Sequence, residues 1–135
     1  MIRGFLFTLL FALAPASFAD EHELHEHMEK VGKAMGTLRK AVPAKAMSDV
    51  SSAAAIMAEA FPKTMAEWEK RNMSDAVNWT NEAASLSKEL KAAADAGHEE
   101  HVGAVFSKLG GVCKSCHTAH REEIPGTNPK KYRIK

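Results

Sequence analysis

The stretch DEHELHEHMEKVGKAMGTLRKAVP, residues 20–43, decides the fold class. Its apolar side chains Leu24, Met28, Val31, Met35, Leu38 and Val42 recur at steps of four, three, four, three and four. That spacing lays them along one face of a helix, with Glu21, Glu26, Glu29, Lys30, Lys33 and Lys40 on the others. Acidic residues gather at its start and basic ones at its end, the order the helix dipole favours. Pro43 has no backbone donor and closes the helix.

The same period continues down the chain. A second helix is expected from Ser48 or Asp49, both good N-caps, burying Val50, Ala53, Ala54, Met57, Ala60 and Phe61. Pro62 is expected to limit it, leaving 63–72 ambiguous, with room for a short helix around Trp68. A third helix fits 74–96, with Ala76, Thr80, Ala83, Ser87, Leu90 and Ala94 inward and Gly97 as its stop. A fourth runs over about 98–121 and buries Val102, Val105, Phe106, Leu109, Val112 and Cys113. Pro43, Pro62 and Gly97 should therefore fall between helices. Four helices with short links predict an all-α antiparallel four-helix bundle over residues 20–126. Ile124-Pro125-Gly126-Thr127-Asn128-Pro129 ends regular structure, and 127–135 reads as a basic, flexible tail.

Composition agrees with this class. Among 135 residues, 45% are hydrophobic and 26% charged, enough apolar material for one core. Eighteen Lys and Arg against 17 Asp and Glu give a net charge of +1, too balanced for a nucleic-acid binder. A single Tyr and few β-branched residues argue against a sheet protein. The start of the chain reads as an export signal. Arg3 gives a basic opening, residues 4–14 are apolar and uncharged, and Ser17-Phe18-Ala19 puts small residues where a signal peptidase cuts. Residues 1–19 are the expected signal peptide, too short in their apolar run for a membrane span. The mature protein is expected to be soluble, exported and periplasmic, with no membrane attachment.

Chemistry concentrates in Cys113-Lys114-Ser115-Cys116-His117, the C-x-x-C-H attachment signature of c-type haem. On a helix the cysteines stand at i and i+3, so both thiols reach the two vinyl groups on one porphyrin edge. His117, at i+4 from Cys113, then projects toward the iron. A thioredoxin-like C-x-x-C needs a βαβ setting that this pattern lacks. A zinc site built from two cysteines and His117 or His120 matches no common finger spacing. One covalently attached haem c per chain is the expectation.

Together with the export signal and the four helices, this C-terminal position of C-K-S-C-H resembles the cytochrome c-prime family. The resemblance spans the mature chain and is carried by Leu109-Gly110-Gly111-Val112-Cys113-Lys114-Ser115-Cys116-His117 and by Arg121. It implies a haem between the first and last helices, with Arg121 beside the proximal His117; a cation completing the helix dipole is the competing account of Arg121. It also places Met28 opposite the iron, where the low-spin branch has an iron-bound methionine and the high-spin branch a non-ligand. Taken from the residues alone, a Met in a heptad seam is more often core. Gly32 and Gly36, one and two turns on, leave room for a flat porphyrin. The family often has an arginine one turn before the distal residue; here Leu24 stands there, so the propionate partner is open. His22, His25 and His27 read as solvated residues, with His25 as the rival to Met28. The other methionines, Trp68 and Trp79 read as packing, with a cover for the haem at the bundle end as the alternative for Trp68. His98, His101 and His120 read as surface residues, His120 with an alternative place near the haem edge.

The function expected from this pattern is a periplasmic monohaem electron carrier, not an enzyme. Its cofactor-binding residues are Cys113, Cys116, His117, Met28 and Arg121, with His117 and Met28 as the metal ligands. The alternative is a five-coordinate, high-spin haem that binds nitric oxide or carbon monoxide. Redox partner proteins are implied, and the resemblance adds a homodimer through the first two helices.

Overall fold

A computed structural model of the chain describes residues 18–135, with side chains from residue 21 onward. The expected signal peptide therefore lies outside the described residues except at its last two positions. Four helices follow one another: α1 (Phe18–Ala41), α2 (Met47–Lys70), α3 (Ser74–Asp95) and α4 (Glu99–His120). No helix among the described residues is long and apolar enough to cross a membrane. A short antiparallel hairpin, β1 (Arg121–Ile124) and β2 (Lys131–Ile134), completes the chain.

The heptad positions become the core. Val31, Met35 and Leu38 of α1 meet Val50, Met57 and Phe61 of α2, Leu86 and Leu90 of α3, and Val102, Val105 and Leu109 of α4. Thr64, Thr80 and Ser87 are buried too, and each hydroxyl donates to the carbonyl four residues earlier, at 3.1, 2.7 and 2.7 Å. No buried hydroxyl in this set is left to compete for a core partner. A second, smaller cluster of Leu24, Trp68 and Ala76 lies at one end of the bundle. Backbones pack closely between α1 and α2, α2 and α3, and α3 and α4, but not between α1 and α4. The bundle has one open seam.

Two expectations need correction. Pro62 does not end the second helix: it lies inside α2, which continues to Lys70. The ring is on the exposed side, so the acceptor it leaves unpaired, the Ala58 carbonyl, has access to water. Burial of Thr64, Glu67 and Trp68 beyond it sustains the helix. Pro43 and Gly97 do separate helices, and Gly97 takes the left-handed conformation (φ +72°) that suits glycine past a helix end. The second correction concerns 127–135, which is not a loose tail. Residues 131–134 pair with 121–124 in the register Glu122 to Arg133 and Glu123 to Tyr132. Arg133 binds Glu122 at 2.7 Å and Lys130 binds Glu123 at 3.1 Å. Thr127 ties the loop, its hydroxyl donating to the Ile124 carbonyl and accepting from the Lys131 N–H, both at 2.9 Å.

Candidate haem-binding site

The open seam is where the chemistry-bearing residues meet. A helix turns once in about 3.6 residues, so each helix here has two flanks beside its core stripe. On α1, Glu23, His27 and Ala34 share the flank facing α2, where Glu23 reaches the buried Glu67 carboxyl. Met28, Gly32 and Arg39 lie on the other flank. On α4, His101 marks the α3 side through its 3.0 Å contact with Glu89. Phe106, Gly110, Cys113 and His117 lie on the side turned from α3. The two free flanks border the seam that the backbones leave unpacked.

That seam carries donors suited to a porphyrin, with glycines alongside them. A β-carbon at Gly32, Gly36, Gly103 or Gly110 would meet no packed neighbour within 4 Å. Met28 is half-buried and packs against both hydrophobic clusters. Cys113 packs against the main cluster and Cys116 against the Leu24–Trp68–Ala76 cluster. The methionine on α1 and the paired cysteines on α4 therefore converge on one end of the seam. Both thiols are free. Burial pushes the Cys113 thiol up, against a small opposing pull from Arg39. Burial, aided by Cys113 and Asp75, pushes Cys116 up to about 11. Protonated thiols suit addition of S–H across a vinyl double bond, and they are poor material for thiolate redox chemistry or zinc ligation.

His117 is half-buried on the last turn of α4. Burial, and then the neighbouring Arg121 charge, hold its imidazole below the usual histidine range. A neutral ring is the form that ligates metal. Arg121 Nη1 lies 3.3 Å from His117 Nδ1. The same guanidinium stacks 3.9 Å above the Tyr132 ring. His25 is exposed, and His22 pairs with Glu26 at 3.3 Å. His27 is the half-buried histidine, its Nδ1 enclosed without a partner. It faces α2, however, on the flank away from the seam.

Of three further contributors, Arg39 and Tyr132 were missed from the sequence, and His120 was read there as a surface residue near the haem edge. Arg39 lies on the Met28 flank three turns on, near enough for its charge to act on the Cys113 thiol. Nothing in its local sequence singles it out. His120 accepts a place between Trp68 and Trp79, with ring centroids at 5.7 and 6.1 Å, and contacts Asp75 at 2.9 Å. Tyr132 is the third; its only sequence signal was the Pro-Gly and Asn-Pro turn chemistry between two short runs.

A helical bundle with C-x-x-C-H on its last helix, opening onto an unpacked seam, defines a class of protein that carries haem c on a bundle scaffold. The family model of cytochrome C′ matches residues 19–121, and the chain belongs to that family. Members carry covalently attached haem c, and this chain is a c-type haem protein. No curated protein and no solved structure matches it.

Proposed function

We propose that the protein is a periplasmic one-electron carrier in which His117 and Met28 are the two axial ligands. The observation that carries this reading is the position of Met28. It is half-buried on the α1 flank bordering the seam and packs against both clusters that hold the cysteines. A thioether is soft and uncharged, so it is buried there at little desolvation cost. When bound, haem c supplies an iron couple that takes up and releases one electron.

The chain's own residues do the rest. Cys113 and Cys116 tether the ring by addition of each thiol across a vinyl group. His117, kept neutral by burial and Arg121, offers its imidazole to the metal. Met28 would hold the metal from α1 and keep out water and small ligands, which suits electron transfer without substrate binding. Axial Met also raises the potential above that of bis-histidine ligation. The family's usual periplasmic location fits the export signal read at residues 1–19. Partners on this reading are redox proteins.

The second reading, a gas-binding haem, has its own support. The family is known for gas binding, and Met28 already has apolar neighbours on both sides, so packing alone accounts for its place. The absorption spectra of oxidised and reduced protein separate the two. Met ligation gives low-spin spectra, a near-infrared charge-transfer band and a reduced form that resists carbon monoxide. Met28→Ala should then become high-spin and bind carbon monoxide. A native protein that is already high-spin and binds the gas readily sinks the Met28 assignment.

A further inference from the structure

We propose that the C-terminal hairpin is a strap across the open α1–α4 seam, and that Ile134 is a positioning residue for Met28. The inference deepens the haem-carrier reading and rests on it. The family match ends at Arg121, so β1 beyond its first residue and all of β2 lie outside the matched stretch. The hairpin touches the two helices that do not pack against each other. The Ile134 N–H points to Glu21 Oε1 at the start of α1, at 3.5 Å, and the Lys135 N–H donates to the His120 carbonyl at the end of α4, at 3.1 Å.

Between these two anchors, the Ile134 side chain enters the Leu24–Trp68–Ala76 cluster. Met28 and Cys116 pack against that same cluster. One apolar residue from the strap thus shares its neighbours with the expected distal ligand on α1 and with a haem-attachment cysteine on α4. A third anchor lies on the His117 side, where Arg121 is held between the imidazole and the Tyr132 ring. Two ion pairs and the Thr127 bonds stiffen the hairpin, so a displacement of Ile134 is transmitted rather than absorbed. An isolated two-stranded ribbon is marginal in water. Docking of Ile134 is therefore what fixes its position, and the start of α1, with little else to hold it to α4, is fixed in return.

The strap thereby keeps Met28 toward the seam and favours the capped, gas-excluding state. The test uses the full-length haem-loaded protein with Ile134→Ser, and Ile134→Val as the conservative variant. Ile134→Ser should make backbone amides of residues 21–31 exchange roughly tenfold faster, the size expected for losing one half-buried apolar anchor. It should also weaken the methionine charge-transfer band and let the reduced protein bind carbon monoxide. Ile134→Val should restore both readouts. If the band is present in the native protein and Ile134→Ser changes neither exchange nor carbon monoxide binding, the strap is refuted and the carrier reading stands. If the native protein shows no such band, the role assigned to Met28 fails. Accelerated exchange at 21–31 would then uphold the strap alone, and unchanged exchange would overturn both.

Discussion

Glu67 is the one carboxylate of the described residues that is enclosed, at 3% exposure, and it sits one residue before the buried Trp68. Lys70 Nζ contacts its Oε1 at 2.7 Å, and that hydrogen bond holds the carboxyl below the usual glutamate range, against the effect of burial. A depressed folded pKa means that ionised Glu67 stabilises the native state above its unfolded pKa. That stabilisation is lost as the pH falls through the folded value. Glu67→Gln should therefore flatten the acid limb of the stability curve. The difference from the parent, measured by denaturant unfolding, should be largest above about pH 5 and shrink toward zero at lower pH. A constant difference across that range would mean that the charge is not what the site uses. Nothing in the sequence marked Glu67. One more glutamate in a Lys- and Glu-rich helix shows its burial only when Glu23, Lys70 and Trp68 are brought round it. Cys113, Cys116 and His117 were legible because their meaning lies in local spacing, which a helix preserves.

At the level of the elements, α2 is the instructive case. Its apolar pattern to Phe61 was readable, and Pro62 was a sound local reason to stop there. Tertiary packing overrode it: about two further turns of α2 carry Thr64, Glu67 and Trp68 into the interior. Pro62 keeps its ring outside and gives up one hydrogen bond to the Ala58 carbonyl. Pro62→Ala restores that donor in an exposed position where nothing packs on the ring. It should stabilise the protein by about 1–3 kcal/mol, less the advantage a proline has in restricting the unfolded chain. A thermal melt would register this as a rise in Tm. A fall would show that the proline's rigidity outweighs the missing bond. The hairpin was illegible for the opposite reason. Its strands are four residues each: Arg121–Ile124 is mostly charged, and the alternation of Lys131-Tyr132-Arg133-Ile134 is too short to announce a strand by itself. Its order comes from cross-strand ion pairs and from docking on a cluster assembled out of α1, α2 and α3.

For the molecule as a whole, the decisive feature is the asymmetry of the bundle. The α2–α3 pair is flanked on each side by a closely packed helix, while α1 and α4 each lack a close partner along one flank. Glycines at 32, 103 and 110 put no side chain on that side. The chain belongs to a family that carries haem c, and a porphyrin seated in this gap would bring apolar contact that belongs to the folding of the holoprotein. Binding to the native state alone stabilises it, and here the stabilisation should be local to the two helices that line the gap. Haem-free protein, made as Cys113→Ala/Cys116→Ala, is therefore expected to keep most of its helical circular dichroism. Its α2 and α3 amides should stay protected against hydrogen exchange, while those of residues 21–36 and 103–117 exchange faster than in the holoprotein. Restoring haem to the parent chain should return protection to both segments together, because one ligand spans both flanks. If exchange rises uniformly over all four helices instead, the bundle folds as a single unit around haem. The seam would then be no weaker than the rest of the core. If it does not rise at all, the α1–α4 gap is closed by the protein alone, and the porphyrin lies elsewhere.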